Sequence, residues 1–161
     1  MQNTLHSKNC SNSSGFSMIE LIIVVMLIGI FTAMALTRTD TGLTTIREQI
    51  AIDQITNDID LARSMAFAQN EAITIIFDKN QESYGVYNGS GIIKDFPNSN
   101  SDGIISLDNS YLRNLDIKEV SFGGSANLQF QPLGDPVSGG TIELNTKTIT
   151  VESITGKWSV N

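Results

Sequence analysis

Gly15-Phe16-Ser17-Met18-Ile19-Glu20 opens an apolar run that continues through Leu36, and the reading of this stretch decides the rest of the chain. Between Phe16 and Leu36 only Ser17, Glu20 and Thr32 are polar. At about 1.5 Å of rise per residue a helix over this run is roughly 31 Å long, close to the thickness of a bilayer core. The stretch is a membrane-spanning signal. Its anomaly is Glu20, since an ionised acid costs on the order of 2.5–3.5 kcal/mol at the bilayer centre, and less near the interface. Anchoring alone gives that carboxylate no role. The junction is also unusual: a polar leader ends in Gly15 and the apolar run starts at once, so a protease can cut before the hydrophobic segment rather than after it.

Two plainer readings compete. Ala33-Met34-Ala35 resembles a signal-peptidase site, and a cut after Ala35 would release a soluble domain. An uncleaved N-terminal anchor is the other. Both leave Glu20 without a function. The leader holds only Lys8 and His6 as possible positive side chains, and Arg38 and Arg47 follow the span, so the positive-inside rule does not fix orientation.

The segment Gly15-Phe16-Ser17-Met18-Ile19-Glu20-Leu21-Ile22 resembles the processing site of type IV prepilins and type II secretion pseudopilins. The resemblance implies cleavage after Gly15 by a prepilin peptidase, N-methylation of Phe16, and a mature helix that parks the subunit in the bacterial inner membrane with a periplasmic C-terminal domain. It further implies that an inner-membrane assembly platform passes the subunit into a filament of other pilin or pseudopilin subunits. There Glu20 would neutralise an N-terminal amine, a pairing that lets a charge persist in a low-dielectric core.

Outside the leader and anchor, about 120 residues remain, enough for one small core. Removing residues 1–15 takes away Lys8 and leaves nine basic against seventeen acidic side chains, a net of −8. An acidic domain repels phosphate backbones, so nucleic acid is not expected as a partner. The single Cys10 and the single His6 both lie in the leader. A chain beginning at Phe16 therefore has no Cys–His or Ser–His–Asp machinery, no zinc site built on those ligands and no internal disulfide. No catalytic, cofactor-binding or metal-binding residue is assigned. Asp53, Asp58, Asp60, Asp102 and Asp108 lack calcium-loop spacing and are read as solvated surface.

Four segments are expected: a leader over 1–15, a transmembrane helix over 16–36, an amphipathic helix over 37–70 and a β-rich domain over 71–161. Threonines and Gly42 weaken helix propensity over 37–45, and Gly29 or Gly42 is a candidate hinge. From Ile46 and Ile50 the apolar stripe passes to Ile52, Ile55, Ile59, Ala62 and Ala66, with Met65 and Phe67 widening the buried face and Asn70 as the stop. Ala72–Phe77 and Ser83–Tyr87 read as a hairpin, followed by a polar surface loop over Asn88–Gly103 that is interrupted by Ile92-Ile93 and Phe96-Pro97. Further strands are expected at Ile104–Leu107, Ile117–Phe122, Asn127–Gln131, Thr141–Leu144, Thr148–Glu152 and Lys157–Val160. The fold class is α+β, with the long N-terminal helix packed on antiparallel sheet.

A second resemblance spans this half. Asp60 to Asn70 followed by Ala72-Ile73-Thr74-Ile75 is similar to the helix-to-strand passage of GspH/FimT minor subunits. Phe130-Gln131-Pro132-Leu133-Gly134, Ser138 to Ile142 and Thr155-Gly156-Lys157 are similar to that family's C-terminal half. It implies a two-sheet β domain and a subunit that initiates or caps a type IV pilus or type II secretion pseudopilus. Some FimT-like relatives bind DNA through basic C-terminal residues; here Lys147 and Lys157, with Trp158 as a stacking surface, are the candidates for that alternative. Trp158 is read as core.

Overall fold

A computed structural model describes residues 16–109, 112 and 115–161, with the backbone alone for residues 36–41. The chain divides into two compact units, Met1–Asp40 and Thr41–Asn161. Helix α1 runs from Met18 to Gln69 and is α-helical through the threonine-rich segment, so neither Gly29 nor Gly42 ends it. Asn70 stops it in the left-handed region at φ 50°, where the amide of Glu71 bonds back to the carbonyl of Ala66.

Nine strands follow among the described residues of the second unit. Strands β1 (Ile73–Asp78) and β2 (Ser83–Asn88) form the expected hairpin, with Thr74 opposite Tyr87 and Asp78 opposite Ser83. The Asp78 carboxylate caps its turn by accepting from the amides of Asn80 and Gln81. Strands β3 (Gly91–Ile92) and β4 (Ile104–Ser106) both pair with β2, while β6 (Asn127–Phe130) pairs with β1, giving the order β3-β2-β1-β6 with β4 beside β2. The second sheet has the order β5-β7-β8-β9, from β5 (Glu119–Phe122), β7 (Gly140–Glu143), β8 (Thr148–Val151) and β9 (Trp158–Val160). Every pairing is antiparallel.

One core serves the helix and both sheets. Ala51, Ile52, Ile55, Ile59, Ala62 and Ala66 are buried along α1, against Ile73, Ile75, Val86, Leu128 and Phe130 of one sheet and Phe122, Ile142, Ile149 and Val151 of the other. Phe77 joins the sheets, its ring centroid 5.4 Å from Tyr84 and 6.2 Å from Phe122. The α+β class and two antiparallel sheets are thus present.

Three expectations are corrected. Phe67 is 67% exposed, because it stands about 100° round the helix from Ala66 and off the apolar stripe; Ile46 and Ile50 are exposed too. Asp58 is buried instead of solvated. The polar loop after Asn88 contains β3 and a buried Phe96, so its apolar interruptions serve the core.

Candidate functional site

The N-terminal segment is built by a single helix start. The Ser17 carbonyl accepts from the amides of Glu20 at 3.0 Å and Leu21 at 3.2 Å, which puts Glu20 in the first turn of α1. A carboxylate there faces the positive end of the helix dipole. All residues from Phe16 to Ala35 are exposed, Phe16 by 85%. Met18–Ala35 is long and apolar enough to cross a membrane. Thr32 donates its hydroxyl to the Ile28 carbonyl at 2.7 Å, so that polar group is satisfied within the helix. Gly15, and with it the cleavage junction and leader, lies outside the described residues.

In the second unit two buried acids, neither singled out as a site from sequence, tie the helix to the sheets. Glu48 sits on the stripe three and four residues before Ala51 and Ile52, and its carboxylate receives the Thr146 amide at 2.7 Å, the Thr146 hydroxyl at 2.6 Å and the Lys147 amide at 3.1 Å. Burial pushes this carboxyl up, but the hydrogen bonds of Thr146 and Lys147 outweigh it and hold the group below its usual range. Asp58 accepts from the Tyr84 hydroxyl at 2.6 Å. Burial dominates there and pushes Asp58 up to about 6, against the opposing bond from Tyr84. Burial also raises the Tyr84 phenol, assisted by the neighbouring Asp58 charge. These are structural contacts between core elements, and among the described residues no group of three His, Cys, Asp or Glu could hold a metal.

The residues named for nucleic-acid contact are engaged or dispersed. Lys147 donates its ammonium to Gln49 at 2.8 Å, and the half-buried Trp158 donates its indole N–H to Asp60 at 3.0 Å while packing on the core. Lys157 is exposed at the opposite end of the β8–β9 pair from the β7–β8 turn that carries Lys147. A cavity of about 500 Å³ opens between the end of α1 and the loop after β6, lined by Asp60, Arg63, Ser64, Phe67, Leu133 and Gly134. Sequence reading did not find it. Its signal was Phe67, a large apolar residue in line with Asp60 and Ser64 on a face otherwise polar.

Comparison with known proteins adds the following. Residues 10–36 match the prokaryotic N-terminal methylation motif. Residues 51–160 match the family described as type II transport protein GspH. No curated protein matches the chain. Two crystal forms of the type IV minor pilin FimU from Pseudomonas aeruginosa (strain PAO1) are similar in structure, with TM-scores of 0.48 and 0.45 and identities of 16% and 17%. Each alignment covers 70% of this chain, and 87% and 91% of the respective FimU chains. The GspH match takes in about the last third of α1 and the nine described strands, and the motif match takes in the apolar start of that helix. The chain belongs to the GspH family of pilin-like subunits, structural proteins anchored by an apolar N-terminal helix and carrying a C-terminal domain.

Proposed function

We propose that this chain is a minor subunit that initiates or caps a type IV pilus or a type II secretion pseudopilus. A prepilin peptidase cuts after Gly15, Phe16 becomes the methylated N-terminus, and the apolar helix holds the subunit in the inner membrane with its domain in the periplasm. The assembly platform then transfers it into a filament of other pilin-like subunits. Glu20 pairs with the N-terminal amine of a neighbour during that transfer. The observation that carries the reading is one carboxylate in the first turn of α1, within an apolar stretch that is exposed from Phe16 to Ala35 and matches a methylation motif. Exposed apolar surface of this extent requires lipid or protein cover, and an acid inside that cover requires a cationic partner.

The test is the N-terminal sequence and mass of the protein recovered from its native membrane, beside a Glu20→Val variant. The expected result is a start at methylated Phe16 in both, with incorporation into sheared filaments reduced by at least about tenfold in the variant, equivalent to about 1.4 kcal/mol. A start at Leu36 would instead identify a secreted soluble domain and end this reading.

A further inference from the structure

We infer that the cavity between Phe67 and Leu133 is a docking site for an exposed segment of a different pilin-like subunit, one that presents an Asp or Glu beside a large apolar side chain. The inference rests on the proposed subunit role and adds a contact in the globular domain to those of the apolar helix.

Three observations define the occupant. Phe67 and Leu133 are 67% and 71% exposed, yet they line the same cavity of about 500 Å³, so an apolar side chain entering it is covered on two sides. Arg63 lines the cavity half-buried, and its Nε donates to the Gly134 carbonyl at 3.1 Å. That bond is its only polar contact among the described residues, which leaves the rest of the guanidinium fork open to a carboxylate. Asp60, three residues earlier on the helix, lines the same cavity without an ion pair to Arg63, its Oδ2 accepting instead from the Trp158 indole. Phe67 and Arg63 are of residue types enriched at protein interfaces, and Leu133 adds an aliphatic wall beside them.

The charge of the chain narrows the partner further. With acids well in excess of bases, a polyanion is repelled along its whole length. A single carboxylate approaching Arg63 feels mainly charges within about a Debye length, roughly 8 Å at physiological salt. Arg63 and the Gly134 carbonyl also fix the loop against the helix. Gly134 adopts φ +83°, a left-handed conformation that favours glycine, and an added Cβ would make ordinary contact with the Arg63 carbonyl oxygen at 3.4 Å, so the turn at the cavity floor lies against the helix.

The experiment places a photo-crosslinking benzoylphenylalanine at Leu133 in the full-length protein in its native membrane, with the same crosslinker at Val24 as the assembly control. The expected product from position 133 is another pilin-like subunit, joined through a peptide containing an Asp or Glu and identified by mass spectrometry. Arg63→Glu should cut its yield by on the order of tenfold or more, and changing the captured acid to Arg should restore it. Restoration excludes misfolding as the cause of the loss. Capture of a second copy of this chain, of lipid, or of nothing at position 133, while Val24 still captures pilin-like subunits, would overturn the docking site and leave the subunit role intact. If Val24 captures no such subunit either, the subunit role fails and the docking site fails with it.

Discussion

At the scale of single residues, side-chain chemistry hid what spacing showed. Asp58 follows Ile55 by three residues and precedes Ala62 by four, so it occupies the buried stripe of α1 despite being an acid. Its position was legible; its partner was not, because Tyr84 is 26 residues away on β2. Glu48 is the same case, with partners 98 and 99 residues along the chain. The two acids pull in opposite directions with pH. Asp58 is raised from an ordinary 3.8 to about 6, so the folded state binds its proton more tightly than the unfolded state does. Its contribution to stability is complete below pH 3.8 and is lost as pH rises through 6. Glu48 is lowered, so its contribution is present above the ordinary carboxylate range and lost as pH falls through its folded value. Between pH 5 and 7 Asp58 therefore outweighs Glu48. Asp58→Asn should remove about 1 kcal/mol from the difference in unfolding free energy between these two pH values. Urea titrations of the detergent-solubilised protein at pH 5 and 7 would measure it, and an unchanged difference would refute the assignment.

At the scale of elements, the period of the sequence located nearly every strand, because β-branched runs here are bounded by glycine and polar turn residues. The hairpin of β1 and β2 and the stripe of α1 were both legible. Strand β3 was not: two residues are too few for a period, and it exists only because Tyr87 and Asn88 of β2 offer a free edge to Ile92 and Gly91. The pairing of β6 with β1 was equally hidden, since strand order depends on which edges meet in space. Gly140 shows how tightly such an edge is made. A Cβ there would lie 1.9 Å from the Ser121 carbonyl oxygen and 2.8 Å from the Phe122 Cα, across the β5–β7 pairing. Gly42, inside α1, has nothing within 4 Å of an added Cβ. Gly140→Ala is expected to destabilise by on the order of 3 kcal/mol or more, as overpacking against backbone does. Gly42→Ala is expected to stabilise the helix by about 1 kcal/mol through propensity alone. Thermal unfolding followed by circular dichroism would separate them, and equal shifts would refute both placements.

At the scale of the whole molecule, charge and the covering of apolar surface decide what the chain meets. The acidic balance and the engagement of Lys147 and Trp158 leave no basic track for a phosphate backbone among the described residues. In a gel shift at about 0.15 M salt the protein should not retard duplex DNA, and retention at that salt would contradict this electrostatic reading. The cavity beside Phe67 was illegible at this scale, because the loop that closes it lies some seventy residues beyond the helix: Arg63 and Gly134 are 71 positions apart. A related separation governs the central strand. β1 is flanked by β2 nearby in sequence and by β6 far along it, with Ile76 opposite Asn127 and Ile73 opposite Phe130. A ribosome adding about 5–20 residues per second delivers Phe130 several seconds after the first hairpin is made. Throughout that interval Ile73-Thr74-Ile75-Ile76-Phe77 carries an unclaimed edge with the makeup of an aggregation-prone segment. Yield in living cells should therefore be governed by how quickly translation passes from Asp78 to Phe130, and rare codons in that interval would cost more than rare codons anywhere after it.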